Sequence, residues 1–194
     1  MIKSKLTSIQ FFLIFVLTLT VFGNVQAAGK SQSKNYLIQP GDILHVSVWK
    51  EEDLNLDVLV RPDGHFTFPL AGDIDTSGKN AQQITRELEK RIAKYIPDPV
   101  ITVSVVQILG NKIYVIGKVN NPGEFIMSHD LDVVQAMSMA GGASTFAGLN
   151  KIKILRRDKN GKQIAIPFKY ADIEAGRNLE QNIILQPGDV VVVP

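Results

Sequence analysis

A seven-residue echo near the two ends of the folded part of this chain constrains it most. Leu37-Ile38-Gln39-Pro40-Gly41-Asp42-Ile43 and Ile184-Leu185-Gln186-Pro187-Gly188-Asp189-Val190 follow one pattern of apolar, apolar, Gln, Pro, Gly, Asp, apolar. Proline presets φ, and glycine permits the positive φ that a tight turn requires. Each copy therefore reads as a turn feeding a buried strand. The echo has two readings: a duplicated unit, or two independent Pro-Gly-Asp turns.

Between the echoes the sequence divides into two units. In the first, residues 43–49 (ILHVSVW) alternate as a strand, with Leu44, Val46 and Val48 on one side and Trp49 on the other. Residues 56–60 make a second strand. Arg61-Pro62-Asp63-Gly64 is a hairpin-type turn, and Phe66 and Phe68 beyond it face the same way, inward. Asn80 with Gln83 three residues on forms a capping box. The helix it starts carries Ile84, Leu88, Ile92 and Tyr95 on one face and ends at Pro97. Residues 100–108 (VITVSVVQI) close the unit as a strand.

The second unit opens near Gly110-Asn111. Residues 112–118 read as a strand, Asn120-Asn121-Pro122-Gly123 as a turn and residues 124–127 as a short strand. Asp130 is the expected cap of a helix bearing Leu131, Val134, Met137 and Met139, stopped by Gly141-Gly142. Residues 151–156 (KIKILR) alternate, Asp158-Lys159-Asn160-Gly161 turns the chain, and residues 163–168 and 190–193 complete the strands. The expected class is α+β: two small β-rich domains, each with one main helix.

The N-terminus has its own logic. Lys3 and Lys5 precede an apolar run over residues 11–22, and Val25-Gln26-Ala27 offers small residues at a cleavage site. The pattern predicts a secretory signal peptide over residues 1–27, cleaved after Ala27; the run is short for a spanning helix. The chain's 21 basic residues, less those two lysines, equal its 19 acidic ones. A neutral remainder disfavours nucleic acid or an anionic membrane as the main partner. No cysteine is present, which removes thiol nucleophiles, sulfur metal sites and a lipid-anchor Cys.

Signals for catalysis are weak. His45, His65 and His129 lack metal-ligand spacing, and no nucleophile elbow, phosphate loop or dinucleotide fingerprint occurs. No metal or cofactor is expected. Asp73 and Asp75, read as loop residues, are a conceivable carboxylate pair for glycoside cleavage, though such acids are usually solvated. Arg156 and Arg157 could meet an acidic sugar through charge-assisted hydrogen bonds, against the plainer reading of a solvated turn edge. Trp49, Tyr36, Tyr114 and Tyr170 could stack on sugar rings, with packing or a subunit interface as the plainer reading for Trp49. Asn120 and Asn121 could bind saccharide hydroxyls, although Asn-Asn-Pro-Gly is first a turn.

The order of these motifs resembles the outer-membrane polysaccharide export family, of which Wza is the best-known type. Residues 36–108 are similar to the polysaccharide export domain. The match runs through Gln39-Pro40-Gly41-Asp42, the strand to Trp49, Pro62-Asp63-Gly64, Phe68-Pro69-Leu70-Ala71-Gly72, the helix, and Pro97-Asp98-Pro99-Val100. Residues 111–194 are similar to the soluble-ligand-binding β-grasp (SLBB) domain. There the match lies in Gly117-Lys118-Val119, Pro122-Gly123, Ala140-Gly141-Gly142, Pro187-Gly188-Asp189 and Val193-Pro194. Each piece alone is weak; their order over nearly the whole chain after residue 35 is specific.

The resemblance implies a non-enzymatic part of a capsule or exopolysaccharide export machine in the periplasm, associated with the outer membrane through partners. It implies a homo-oligomeric ring, an extracellular polysaccharide as cargo, and an inner-membrane polysaccharide co-polymerase, often a tyrosine autokinase. Larger members continue into an amphipathic helix that crosses the outer membrane. This sequence stops at Pro194, so a separate outer-membrane β-barrel channel is expected. Two other classes stay in view: a monomeric periplasmic glycan-binding β-grasp receptor and a polysaccharide-processing enzyme.

Overall fold

The computed structural model describes residues 35–158 and 160–194. The expected signal peptide and its cleavage after Ala27 lie outside the described residues. Residues 35–194 form one compact unit with two separate hydrophobic cores.

The first core is built on a three-stranded antiparallel sheet. Its strands are β1 (Ile43–Val48), β2 (Glu51–Leu59) and β5 (Ile101–Gln107), in the order β2-β1-β5. Opposite residues in register share a face, so Leu44, Val46 and Val48 of β1 meet Val105, Val103 and Ile101 of β5 on the inner side. The outer side carries His45, Ser47, Thr102 and Ser104. Strand β1 ends at Val48, one residue earlier than its alternation suggests. Lys50, at φ +67°, turns the chain straight into β2, and Trp49 is left 69% exposed at the hairpin tip. The packing reading of Trp49 is thereby corrected.

A small hairpin, β3 (His65–Phe68) and β4 (Gly72–Asp75), covers this core. Phe66, Phe68 and Ile74 point inward and are buried, each contributing about 1.5–3 kcal/mol of apolar burial. Asp73 and Asp75 therefore sit on a strand, not in a loop. Sequence alternation missed β4 because Gly72 and two acids dilute its apolar signal.

Helix α1 (Ala81–Ile92) packs on β4 and β5. Its capping box is formed as expected: Gln83 N–H donates to Asn80 Oδ1 at 3.0 Å, and Asn80 N–H donates to Gln83 Oε1 at 2.9 Å. Ile84, Leu88 and Ile92 form its buried stripe. The α-helix stops before Pro97, because Tyr95 and Ile96 both donate to the Ile92 carbonyl in a tighter turn. That turn swings Tyr95 off the apolar stripe, so it is exposed rather than part of the core.

The second core lies between a five-stranded mixed sheet and one helix. The strands are β6 (Lys112–Gly117), β7 (Gly123–Ile126), β8 (Ile152–Arg157), β9 (Gln163–Phe168) and β10 (Val190–Val193), in the order β7-β6-β10-β8-β9. β10 pairs in parallel with β6 and antiparallel with β8. Helix α2 (Val133–Met139) buries Val133, Ala136 and Met137 against it. The cap of α2 is Asp132, not Asp130. Asp132 and Gln135 complete the reciprocal pair of hydrogen bonds, at 2.8 and 3.0 Å, that Asp130 has no Gln or Glu in place to make. A further short helix, α3 (Tyr170–Glu174), follows β9. The fold is α+β, and its second half has the β-grasp arrangement of a helix packed on a mixed sheet.

Candidate functional site

The heptapeptide echo is a structural echo. In each copy the Asp N–H donates to the Gln carbonyl three residues back, at 3.1 Å for Asp42 and 3.0 Å for Asp189. In return the Gln N–H donates to the Asp carboxylate, at 2.8 and 2.9 Å. The intervening glycines have φ of +96° and +85°, which with proline ahead defines a type II turn. Gly41 N–H donates to the Val60 carbonyl and Gly188 N–H to the Lys112 carbonyl, each at 2.8 Å. Both carboxylates are buried, Asp42 at 0% and Asp189 at 1% exposure.

The two copies differ in what else their carboxylates hold. Asp42 takes backbone N–H groups of Leu109 at 3.1 Å and Gly110 at 2.9 Å, and the Tyr36 hydroxyl donates to it at 2.6 Å. Asp42 thus fastens the segment joining β5 to β6 onto the first turn. A Cβ on Gly110 would fall 2.2 Å from the Pro40 carbonyl oxygen, so the clasp closes on a glycine. Burial, then the bond to Asp42, pushes the Tyr36 phenol above its ordinary pKa. Tyr36 is a tether here. The sequence marks these aspartates as turn residues; that the same Asp recurs before a strand in both copies is the signal for their buried role.

Asp189 holds Arg156. The guanidinium makes a two-pronged pair with it, Nη2 at 2.6 Å and Nε at 2.9 Å, and Nη2 also reaches the Ile184 carbonyl at 3.1 Å. The Arg156 side chain is 16% exposed, so its fork is committed inside the fold and is not a solvated turn edge. Arg157 is exposed and reaches the Gly161 carbonyl at 3.3 Å.

Asn120 and Asn121 lie elsewhere. Beyond β6, residues 118–121 run antiparallel to residues 140–144. Ser144 N–H donates to the Lys118 carbonyl, Asn120 N–H to that of Gly142, and Asn121 N–H to that of Ala140. The Asn120 side chain donates to the Gly141 carbonyl at 2.6 Å, while the exposed Asn121 amide packs beside Gly141. Arg156 and Arg157 stand at the end of the sheet where β10 begins, and the asparagines at the end where β10 stops. The four candidates therefore do not form one site.

The remaining candidates are structural or dispersed. Asp73 accepts from Thr67 Oγ1 at 2.6 Å and pairs with Arg61; bonding to Arg61, then Thr67, holds its carboxyl below the usual range. The Ser77 N–H and hydroxyl hold Asp75 low as well. A glycosidase acid needs the opposite shift. His45 sits 2.7 Å from Asp57, His65 contacts the Asp63 carbonyl, and His129 contacts Ser128. Among the described residues no group of three His, Asp or Glu side chains converges as a metal site, and no helix is long and apolar enough to cross a membrane.

Comparison with known proteins fits this tandem. Residues 30–106 match the family model described as polysaccharide biosynthesis/export protein, and residues 111–193 match that of the SLBB domain. The chain is 30% identical over 182 residues to the EPS I polysaccharide export outer membrane protein EpsA of Ralstonia nicotianae, covering 81% of this chain and 47% of EpsA. It is 30% identical over 122 residues to the exopolysaccharide production protein ExoF of Rhizobium meliloti, covering 61% of this chain and 26% of ExoF. With the polysialic acid transport protein KpsD of Escherichia coli it shares 24% identity over 115 residues, 59% of this chain and 21% of KpsD. It thus spans about half the length of EpsA and less of the others. Two adjoining matched regions, met by a fold with one core in each, show that the chain belongs to the outer-membrane polysaccharide export family, with a polysaccharide export region followed by an SLBB domain.

Proposed function

We propose that this protein is a non-catalytic component of a capsule or exopolysaccharide export machine, working in the periplasm to form or bridge the path of polymer to the outer membrane. The observation that carries the reading is the unbroken tandem. The export and SLBB matches adjoin across residues 30–193, and the Asp42 clasp binds the joining segment to the first turn. The division into domains over 36–108 and 111–194 is part of the same proposal, supported by the two cores. Its cargo is an extracellular polysaccharide. Its partners are further copies of itself, an inner-membrane co-polymerase of the tyrosine autokinase type, and a separate outer-membrane β-barrel channel. The ionised state of Asp73 and Asp75 supports a role without glycosidic chemistry.

The test is a deletion strain assayed for surface against cell-associated polymer, with linkage analysis. The expected outcome is polymer of normal linkage retained in the cell or limited in amount. Normal surface polymer overturns the reading.

A further inference from the structure

The first domain presents an exposed aromatic on an acidic hairpin. Trp49 and Lys50 are the two-residue turn between β1 and β2, since Val48 pairs with Glu51. Trp49 N–H donates to the Val100 carbonyl at 2.9 Å, one step beyond the pairing of Val48 with Ile101. Val48 and Ile101 are buried, so alternation sets Trp49 and Val100 side by side on the outer face, 69% and 63% exposed. Glu51, Glu52 and Asp53 follow at once, all exposed.

The second domain presents the opposite surface. Strand β10 is Val-Val-Val-Val and runs parallel to β6. An all-apolar strand in parallel pairing is the pattern of a strand covered on both faces. Here the core covers Val191 and Val193, while Val190 and Val192 are only half-buried on the outer face. Register sets Val190 beside Leu155 and Val192 beside Lys153 on β8, with exposed Ile116 of β6 on the other side of Val192. Lys153 stands between buried Ile152 and Ile154 and so points outward, and Leu155 and exposed Arg157 follow it on the same side by alternation. The patch is apolar at its centre and basic along β8.

The charges on both surfaces are available. Among the described residues Glu51, Glu52, Asp53 and Lys153 enter no ion pair, and Arg157 spends only Nη1, on the Gly161 carbonyl. The exposure of Trp49 and Val100 shows that the two surfaces do not meet within one molecule. They match across two: a Trp flanked by acids, and an apolar patch flanked by bases. Tryptophan is among the residues most enriched at the centre of protein contacts. The run of acids disfavours an anionic lipid surface or an acidic polymer as occupant of the tip. With 21 basic and 19 acidic residues, the chain carries little net charge to oppose self-association.

We propose that Trp49 and the acidic hairpin tip of one molecule dock on the outer face of the second sheet of another copy, with Trp49 against Leu155 and Val192 and the acids against Lys153 and Arg157. The inference rests on the reading that further copies of the chain are among its partners, and names the two surfaces that meet. Because those surfaces differ, the contact is head-to-tail, and a pair keeps a free surface at each end for a further copy.

The test uses the absence of cysteine in the chain. The protein carrying both Glu52→Cys and Lys153→Cys, oxidised in the cell envelope, should run as a ladder of dimers, trimers and larger species on a non-reducing gel. Neither single variant should crosslink. Trp49→Ala added to the cysteine pair should cut the crosslinked fraction about fivefold or more. In purified cysteine-free protein followed by sedimentation equilibrium, Glu51→Lys with Glu52→Lys should weaken self-association about tenfold or more. Lys153→Glu with Arg157→Glu should do the same, and the four together should restore it. Restoration separates lost contact from lost folding, since a misfolded chain is not repaired by further substitutions. No ladder, an undiminished ladder in Trp49→Ala, or a fourfold variant that stays apart would overturn the contact. So would a dimer from Glu52→Cys alone, which would set tip against tip. The deletion phenotype is a separate readout: polymer retained on deletion, with no ladder, defeats this contact and leaves the export role standing.

Discussion

Arg156 and Asp189 form the most enclosed ion pair among the described residues, two-pronged at 2.6 and 2.9 Å, with the carboxylate side chain 2% exposed. Arg156 lies on β8 and Asp189 in the turn that opens β10, so the pair ties the end of β8 to that turn. Asp189 also accepts the Gln186 N–H, so both its oxygens are occupied. A pair this enclosed is costly to halve, because the surviving charge keeps its desolvation penalty and loses its counter-charge.

Arg156→Ala is accordingly expected to destabilise the protein by about 3–5 kcal/mol, measured by urea unfolding. Arg156→Lys should recover only part, since an ammonium cannot reproduce the planar fork. Arg157→Ala, one residue on and exposed, should change stability by less than about 0.5 kcal/mol. Equal effects at 156 and 157 would mean that the enclosed pair does not hold the fold.

Asp42 makes a different prediction, because two of its four donors are backbone groups of the joining segment. Asp42→Ala orphans the N–H groups of Gln39, Leu109 and Gly110 and the Tyr36 hydroxyl. The cost should be about 3 kcal/mol. Limited proteolysis should open a new cut between β5 and β6, because that segment loses its anchor. Gly110→Ala should do the same by a steric route, as its Cβ would press on the Pro40 carbonyl. If neither variant is cut there, the clasp does not fix the segment.

Glycines of similar φ should differ in cost according to what surrounds them. At Gly188, φ +85°, an added Cβ meets nothing within 4 Å, so Gly188→Ala carries only the backbone penalty, about 1 kcal/mol. Gly188→Val adds β-branching and should cost about 1–3 kcal/mol. At Gly117, φ +95°, the Cβ would lie 2.0 Å from the Val193 carbonyl oxygen. The parallel β6–β10 pairing closes there on bare backbone, so Gly117→Ala should exceed both variants at 188. Thermal melting of the three variants checks the order.

What the sequence made legible followed from local physics. The capping box at Asn80, the inward Phe66 and Phe68 and the two Pro-Gly-Asp turns each depend on residues a few positions apart. The cap of α2 lies two residues beyond the expected Asp130 because Asp130 and Asp132 are both good caps, and only the Gln at 135 decides between them. Strand β4 and the exposure of Trp49 depend on a partner strand and a turn, which alternation alone does not encode. The candidate site was the least legible part. Arg156 meets Asp189 across 33 positions, and Asp42 meets Gly110 across 68. No spacing rule reaches that far.

Asp73 and Asp75 carry the last prediction, since it separates export from glycosidic chemistry. Both carboxyls are held below their ordinary value, Asp73 chiefly by Arg61 and Asp75 chiefly by the Ser77 N–H. A group whose folded pKa is depressed contributes stability above its unfolded value, near 3.8, and loses it as pH falls through the folded one. The double variant Asp73→Asn, Asp75→Asn should therefore flatten the acid limb of the stability curve below about pH 4 and leave the curve near neutrality with a small, uniform loss. The loss is small because both groups face solvent, where ion pairs are weak. In cells the double variant should export polymer of normal length and linkage, because neither carboxyl is held in the protonated state a glycosidic acid requires. Polymer altered in length or linkage, with the variant still folded, would give the pair a catalytic role and refute the non-enzymatic reading. An unchanged acid limb with normal export would refute only the assignment of those two carboxyls as the groups that titrate there.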